Sequence, residues 1–270
     1  MIRTSFILWL SLIAALTLPS RFVVAQQTPN LDGRYFPLNQ MTPPGTAAEW
    51  AAKSGKFTAD YFQPIRVSLP TTGTVTFYEG TPDRAIDLPA PAQASLIVGR
   101  MYRLKVSNLP EFPGVEFFPS IELIDRLHPP AGQVEDFPVE FELTLEELEW
   151  AVADRLLTKV VYLEQPNRVP LTMLDTKERI KTVAPAQNVI AEADSLGRPV
   201  AIVRMGGRTP DFNRPDPVFF GPGGPIRITE RAQKTTARIG QTRTAKTATN
   251  DNDAGVYHLR SAASKRMAQR

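Results

Sequence analysis

No cysteine occurs anywhere in the 270 residues. That excludes disulfides, thiolate metal sites, cysteine nucleophiles and a lipidated cysteine together. Without disulfides, stability must come from a buried core, and roughly 150 residues suffice to build one. Histidine is almost as scarce: the two present are His128 and His258, so a three-histidine zinc site cannot be assembled. Also missing are a GxSxG nucleophile elbow, a phosphate-cradling P-loop and a GxGxxG dinucleotide fingerprint. No repeat of fixed period is present, which argues against a solenoid. Beyond residue 25, no apolar run is long enough to span a bilayer.

Proline, in contrast, is abundant. The chain holds 25 of them, nearly twice the usual share of about 5%. Proline is shut out of helix interiors and central strands. A chain this rich in it favours β structure, loops and linkers over a helical bundle.

The first 25 residues form a targeting segment. Arg3 provides the basic start, Phe6 to Leu18 is a nearly continuous apolar run, and Pro19-Ser20 breaks it. Val23-Val24-Ala25 offers a small-residue cleavage site before Gln26. Arg21 is unusual in that position. The apolar run falls short of the 18 or more residues of a membrane anchor. A cleaved signal peptide is therefore the expectation, with an uncleaved anchor as the competing reading. The mature protein is expected in the periplasm or outside the cell, without a stable membrane span.

Charge divides unevenly along the chain. Residues 227–270 carry ten Lys/Arg against three Asp/Glu, a net +7, within a chain of net +3. With Arg3 and Arg21 set aside, residues 26–226 stand at −6. The basic end is rich in Thr, Ala, Arg and Gln. It has too little large apolar surface to offset the entropy of ordering, so disorder is expected. It reads either as a plain solvated terminus or as an arm for a polyanion. Tyr257 is its lone aromatic, so base stacking has no support.

Between these ends the periodicity is mostly two. Thr42-Pro43-Pro44-Gly45 marks a loop, and Ala47–Lys53 suits a short helix with Trp50 packing it down. Ile65, Val67 and Leu69 alternate with Arg66 and Ser68; Thr71-Thr72-Gly73 turns the chain into Thr74–Tyr78. Further strands are predicted over Ala94–Val98, Tyr102–Ser107, Val115–Leu127 with a break at Pro119, Phe137–Leu143, Thr158–Glu164 and Val200–Val203. This alternation is that of half-buried antiparallel strands. One amphipathic helix is clearly announced over Leu145–Leu157. Thr144 and Glu147 form a capping box, Leu143 and Leu148 a hydrophobic staple, and Leu145, Leu148, Val152 and Leu156 recur at helical spacing. Asn188–Ala193 is a weaker helical stretch, stopped by Gly197. From Gly206-Gly207 to Gly221-Pro222-Gly223-Gly224-Pro225 the sequence reads as linker.

The chemistry on offer is thin. Glu140, Glu142, Glu146, Glu147, Glu149 and Asp154 are the densest carboxylates. Paired carboxylates cleave glycosides at separations of roughly 5 to 9.5 Å, but these fall on the solvent face of a strand and at a helix start. His128, followed by two prolines, has Asp125 and Asp136 nearby as acid–base partners, against the simpler role of a loop histidine. Asp251-Asn252-Asp253-Ala254-Gly255 starts like a calcium loop, but its twelfth position is Ala262, not Glu. No cofactor, metal or catalytic residue is assigned. Among aromatics also including Tyr78 and Trp150, Tyr102, Phe117, Phe118 and Tyr162 are the candidate binding surface for a sugar.

The runs Tyr102–Asn108, Phe118–Leu123, Thr158–Glu164 and Ala191–Pro199 carry a resemblance. Over Tyr102–Arg208 the chain resembles exported β-sandwich-type proteins of planctomycete-type bacteria, a group with no known activity. The resemblance implies a secreted or periplasmic β-sandwich and transfers no catalytic residue.

The expected architecture is mainly β. An antiparallel β-sandwich with one short amphipathic helix occupies 65–205, after an irregular stretch at 26–64 and before a Pro/Gly linker and disordered basic tail at 206–270. The expected function is non-enzymatic, a structural or partner-binding role in the envelope or outside the cell. The sequence names no partner; the candidates are an envelope protein, a polysaccharide, and a polyanion through the basic tail. A carbohydrate-binding module is the alternative, and a hydrolase with an unrecognised carboxylate site a weaker one.

Overall fold

A computed structural model of the chain describes residues 35–55, 57, 58, 60–165, 180–211, 213, 214, 216–228 and 257–261; for 180, 181 and 257–261 it describes the backbone alone. All of these belong to one unit, Leu31–Arg270. The signal segment and most of the basic tail lie outside the described residues. No helix among the described residues is long and apolar enough to cross a membrane.

The architecture is mainly β, in two sheets. The first is built from β1 (Phe62–Ser68), β4 (Ala92–Ile97), β7 (Val139–Glu142) and β11 (Ile226–Arg227), in the order β11-β4-β1-β7. The second has eight strands: β2 (Thr74–Tyr78), β3 (Ala85–Pro89), β5 (Met101–Ser107), β6 (Ser120–Leu123), β8 (Leu157–Glu164), β9 (Ile180–Val183), β10 (Gly197–Met205) and β12 (Tyr257–Ser261). Their order is β3-β2-β5-β6-β10-β8-β12-β9. Pairing is antiparallel except between β1 and β7 and between β8 and β12. Pro64 is tolerated inside β1 because β7 first pairs one residue later, at Ile65.

The alternation read from the sequence explains the core. Ile65 and Val67 of β1, Leu96 of β4 and Phe141 of β7 join Val75, Phe77, Leu104, Val106, Ile121 and Leu123 of the second sheet in one apolar cluster. Strand β8 is apolar on both faces because both are covered. Val161 enters that cluster, whereas Val160 and Tyr162 enter another with Ile202 and residues of two helices. Those helices are α1 (Thr46–Lys53) and α3 (Val189–Leu196), which pack through Ala47, Ala48 and Ala51 and through Val189, Ile190 and Ala193.

Helix α2 (Leu145–Val152) starts as predicted. The Glu147 amide donates to Thr144 Oγ1 at 3.3 Å, and the Thr144 amide donates to Glu147 Oε2 at 2.9 Å. It ends earlier than the apolar repeat suggests. Leu148 and Ala151 are buried, but Leu145, Val152 and Leu156 are exposed.

The helical stretches expected at Ala47–Lys53 and Asn188–Ala193 are α1 and α3, so α2 is not the sole helix of the fold, and among the described residues one further α-helix, α4 (Pro217–Phe220), had no sequence signal because four residues show no amphipathic repeat. Two expectations need correction. Trp50 does not bury α1: it stays 42% exposed, its ring edge-on to Phe36, because small alanines make the contact. The stretch from 206 to 228 is not plain linker. Phe219 and Phe220 are buried with Tyr78 and Phe118. The Gly/Pro run that follows serves close approach: a Cβ at Gly223 would lie 2.4 Å from the Gly80 nitrogen. Strand β12 falls within the expected disordered tail; its backbone hydrogen bonds do not depend on apolar composition.

Candidate functional site

A polar groove of about 300 Å³ lies across β2, β3 and β5. Antiparallel register builds it. Thr76 lies opposite Asp87 on one side and Lys105 on the other, and Thr74 lies opposite Ser107. Residues two apart point the same way, so Thr74 and Thr76, and Lys105 and Ser107, present one polar face. Asn108 and the segment Gly114–Glu116 complete the wall.

Internal bonds hold these groups in place. Thr76 Oγ1 donates to Asp87 Oδ1 at 2.6 Å, Lys105 Nζ to Glu116 Oε1 at 3.0 Å, and Asn108 Nδ2 to Thr74 Oγ1 at 3.1 Å. Burial, and then the charges of Glu116 and Asp87, push the nearby Tyr78 hydroxyl up to about 12, so it stays protonated. The groove thus offers two carboxylates, an ammonium, an amide and hydroxyls, a set that hydrogen-bonds a polar ligand. Sequence reading passed over it because its members lie on separate strands. The one local signal was the polar alternation of Thr74/Thr76 and Lys105/Ser107.

The residues singled out from the sequence lie elsewhere. Tyr102, Phe117, Phe118 and Tyr162 are all buried, which corrects their assignment as a binding surface. An alternating strand does not reveal which aromatic face meets water, and here both faces are covered. Tyr102 is structural. Its hydroxyl accepts from the Ile97 amide at 3.1 Å and donates to the Pro225 carbonyl at 3.4 Å, and burial pushes it up to about 12.

His128 is exposed with Arg198, not a carboxylate, at its Nδ1, 3.5 Å away. Partial desolvation, then the Arg198 and Arg126 guanidiniums, hold it below the usual imidazole value. Asp125 is engaged instead by Arg198 at 3.3 Å. The acidic cluster is split. Glu146, Glu149 and Asp154 are exposed, as expected of a solvated face. Glu140 instead pairs with Arg66 at 2.8 Å. Glu147 is buried against Lys159 at 2.5 Å, with 3% of its side chain exposed, so it does not belong to a solvated face. Among the described residues no three His, Cys, Asp or Glu side chains converge as a metal site would require.

One buried carboxylate was missed altogether. Glu122, in the middle of β6, is fully buried, with Arg204 Nε 3.6 Å from its Oε1 and the Ala48 amide donating to its Oε2 at 3.3 Å. It lies at the N-terminus of α1, where the helix dipole favours negative charge. Arg204 also donates through Nη1 to the Thr42 carbonyl. Burial raises the Glu122 carboxyl above the ordinary value of 4.5, while Arg204 and the amides of Gly45, Ala48 and Ala47 work against the rise. The folded state therefore holds this proton more tightly than the unfolded chain. Its contribution favours folding below the ordinary value and is lost as pH rises through the raised one. Measured as the difference from a Glu122→Gln variant in urea melts, wild-type stability should fall over that rise. A difference that grows with pH would show that the charged form is the better accommodated one.

A search of protein-family models, of curated proteins and of solved structures finds no match to this chain.

Proposed function

We propose that this chain is an exported, non-enzymatic binding protein built on a β-sandwich, and that the groove over β2, β3 and β5 seats its partner. The observation that carries this reading is the groove itself: Asp87, Thr76, Lys105, Glu116 and Asn108 held in one polar face by their own hydrogen bonds. Asp87 and Glu116 are already tied to a hydroxyl and an ammonium, an arrangement for positioning a ligand, not for delivering protons to one. The first 25 residues and the resemblance to exported planctomycete-type proteins support the extracytoplasmic setting.

Among partners, a carbohydrate fits the groove's chemistry, because hydroxyl-rich ligands use donors and acceptors of this kind. The groove binds by hydrogen bonds without an aromatic platform, since Tyr102, Phe117, Phe118 and Tyr162 are buried. The test is a glycan array of envelope polysaccharide fragments, followed by titration calorimetry on wild type and Lys105→Ala. Losing a charged hydrogen bond of about 1.5–3 kcal/mol should weaken binding roughly tenfold or more. A glycan that binds both proteins equally would move the site elsewhere.

A further inference from the structure

Strand β12 occupies an unusual place. It lies between β8 and β9, parallel to the first and antiparallel to the second. Its register runs from Tyr257 opposite Thr158 to Ser261 opposite Tyr162. Strand β8 has β10 on its other side, and its side chains from Leu157 to Tyr162 are buried. Among the described residues, β9 pairs with β12 alone. Without β12, one side of a buried strand would present open N–H and C=O groups, which is costly. The two strands thus frame a slot that demands a third.

The strand that fills the slot comes from far along the chain. Between Ile228 and Tyr257 lie 28 residues of polar, basic sequence. Fully extended, they would reach on the order of 90 Å. The register hydrogen bonds that seat β12 are backbone bonds, and an identical strand from another molecule makes the same ones.

We propose that the slot between β8 and β9 is a strand-acceptor site, and that the segment Tyr257–Ser261 of a second copy of this chain enters it, linking copies through their C-terminal strands. Occupancy by the chain's own strand gives the closed monomer. Occupancy by a neighbour's gives a heterologous contact that closes into a ring or continues as a chain of molecules. Joined through 28 residues, the chain's own strand competes as an intramolecular partner with a neighbour's, so exchange between copies is favoured where the protein is crowded.

The absence of native cysteine makes the test direct. His258 pairs with Thr182 across β9 and β12, and antiparallel partners lie within disulfide range. Full-length Thr182→Cys and His258→Cys variants are mixed, refolded together and oxidised over a concentration series. A cross-linked heterodimer should accumulate above the homodimer level of each variant alone, should rise with concentration, and should vanish when Leu259→Pro is added to the His258→Cys chain. The double variant Thr182→Cys/His258→Cys reports cis occupancy by closing as a monomer. If it closes while the mixture gives no heterodimer above background, the strand is a fixed part of its own molecule and exchange is overturned. If neither forms, β12 does not occupy the slot and the proposal falls with it.

Discussion

Replacing Glu147 by alanine is expected to cost about 3–5 kcal/mol of folding stability. Glu147 does two things at once. Its Oε2 accepts from the Thr144 amide at 2.9 Å, closing the capping box of α2, and its carboxylate meets Lys159 Nζ at 2.5 Å. Only 3% of the Glu147 side chain and 6% of the Lys159 side chain are exposed. Lys159 also donates to the Glu142 carbonyl at 2.7 Å, which ties β7 to β8. Truncating Glu147 removes the carboxylate touching a buried ammonium, and the desolvation already spent on that ammonium is no longer offset. Two comparisons separate the parts. Thr144→Ala removes the cap alone and should cost about 0.5–2 kcal/mol. The double change Glu147→Leu/Lys159→Met removes both charges and should recover most of the loss, since well-packed apolar replacements of buried pairs are often neutral. Urea melts of the four proteins measure all of this. A Glu147→Ala loss no larger than that of Thr144→Ala would assign the residue to capping only.

Phe219→Ala should be of similar size, about 3–5 kcal/mol, because it empties a fully buried aromatic position. The ring stands edge-on to Phe118 at 5.6 Å and to Phe220 at 5.3 Å, with the Arg103 guanidinium 4.4 Å from its centroid. Arg103 also donates to the Phe219 and Phe118 carbonyls, both at 3.0 Å. Asp216 caps the short helix, accepting from the Phe219 amide at 2.8 Å. These contacts bind the 206–228 stretch to β5 and to Phe118. Val218, next in sequence and 80% exposed, is the control: Val218→Ala should leave the melt within about 0.5 kcal/mol of wild type. If the two alanines behaved alike, the stretch would be the linker that its glycines and prolines announce.

Those two variants mark where local pattern stops being informative. The Thr144/Glu147 box and the strands at Thr74–Tyr78, Tyr102–Ser107 and Thr158–Glu164 were legible because caps and period-two alternation are set by residues within a few positions of each other. The Gly/Pro run after Phe220 misled for the same reason. Glycine marks a hinge and a close approach with the same letter, and only the neighbouring Gly80 tells which is meant.

By itself the sequence determined a mainly β chain, the position of α2, the absence of cysteine chemistry and the uneven charge between body and C-terminal end. Tertiary structure alone decided the rest. The same periodicity that makes Tyr102, Phe117, Phe118 and Tyr162 strand residues says nothing of whether the far side of the sheet is covered; α1, α3 and the 206–228 stretch help cover it. Asp87, Thr76, Lys105 and Glu116 become one face only when β3, β2 and β5 come into register. Composition leads one to expect disorder over 227–270, yet Arg227 and Tyr257–Ser261 lie in sheets. A ladder is made of backbone groups that every residue except proline carries in full, so where a distant segment pairs is decided by which strand edge is left open to it, and that edge exists only in the folded molecule.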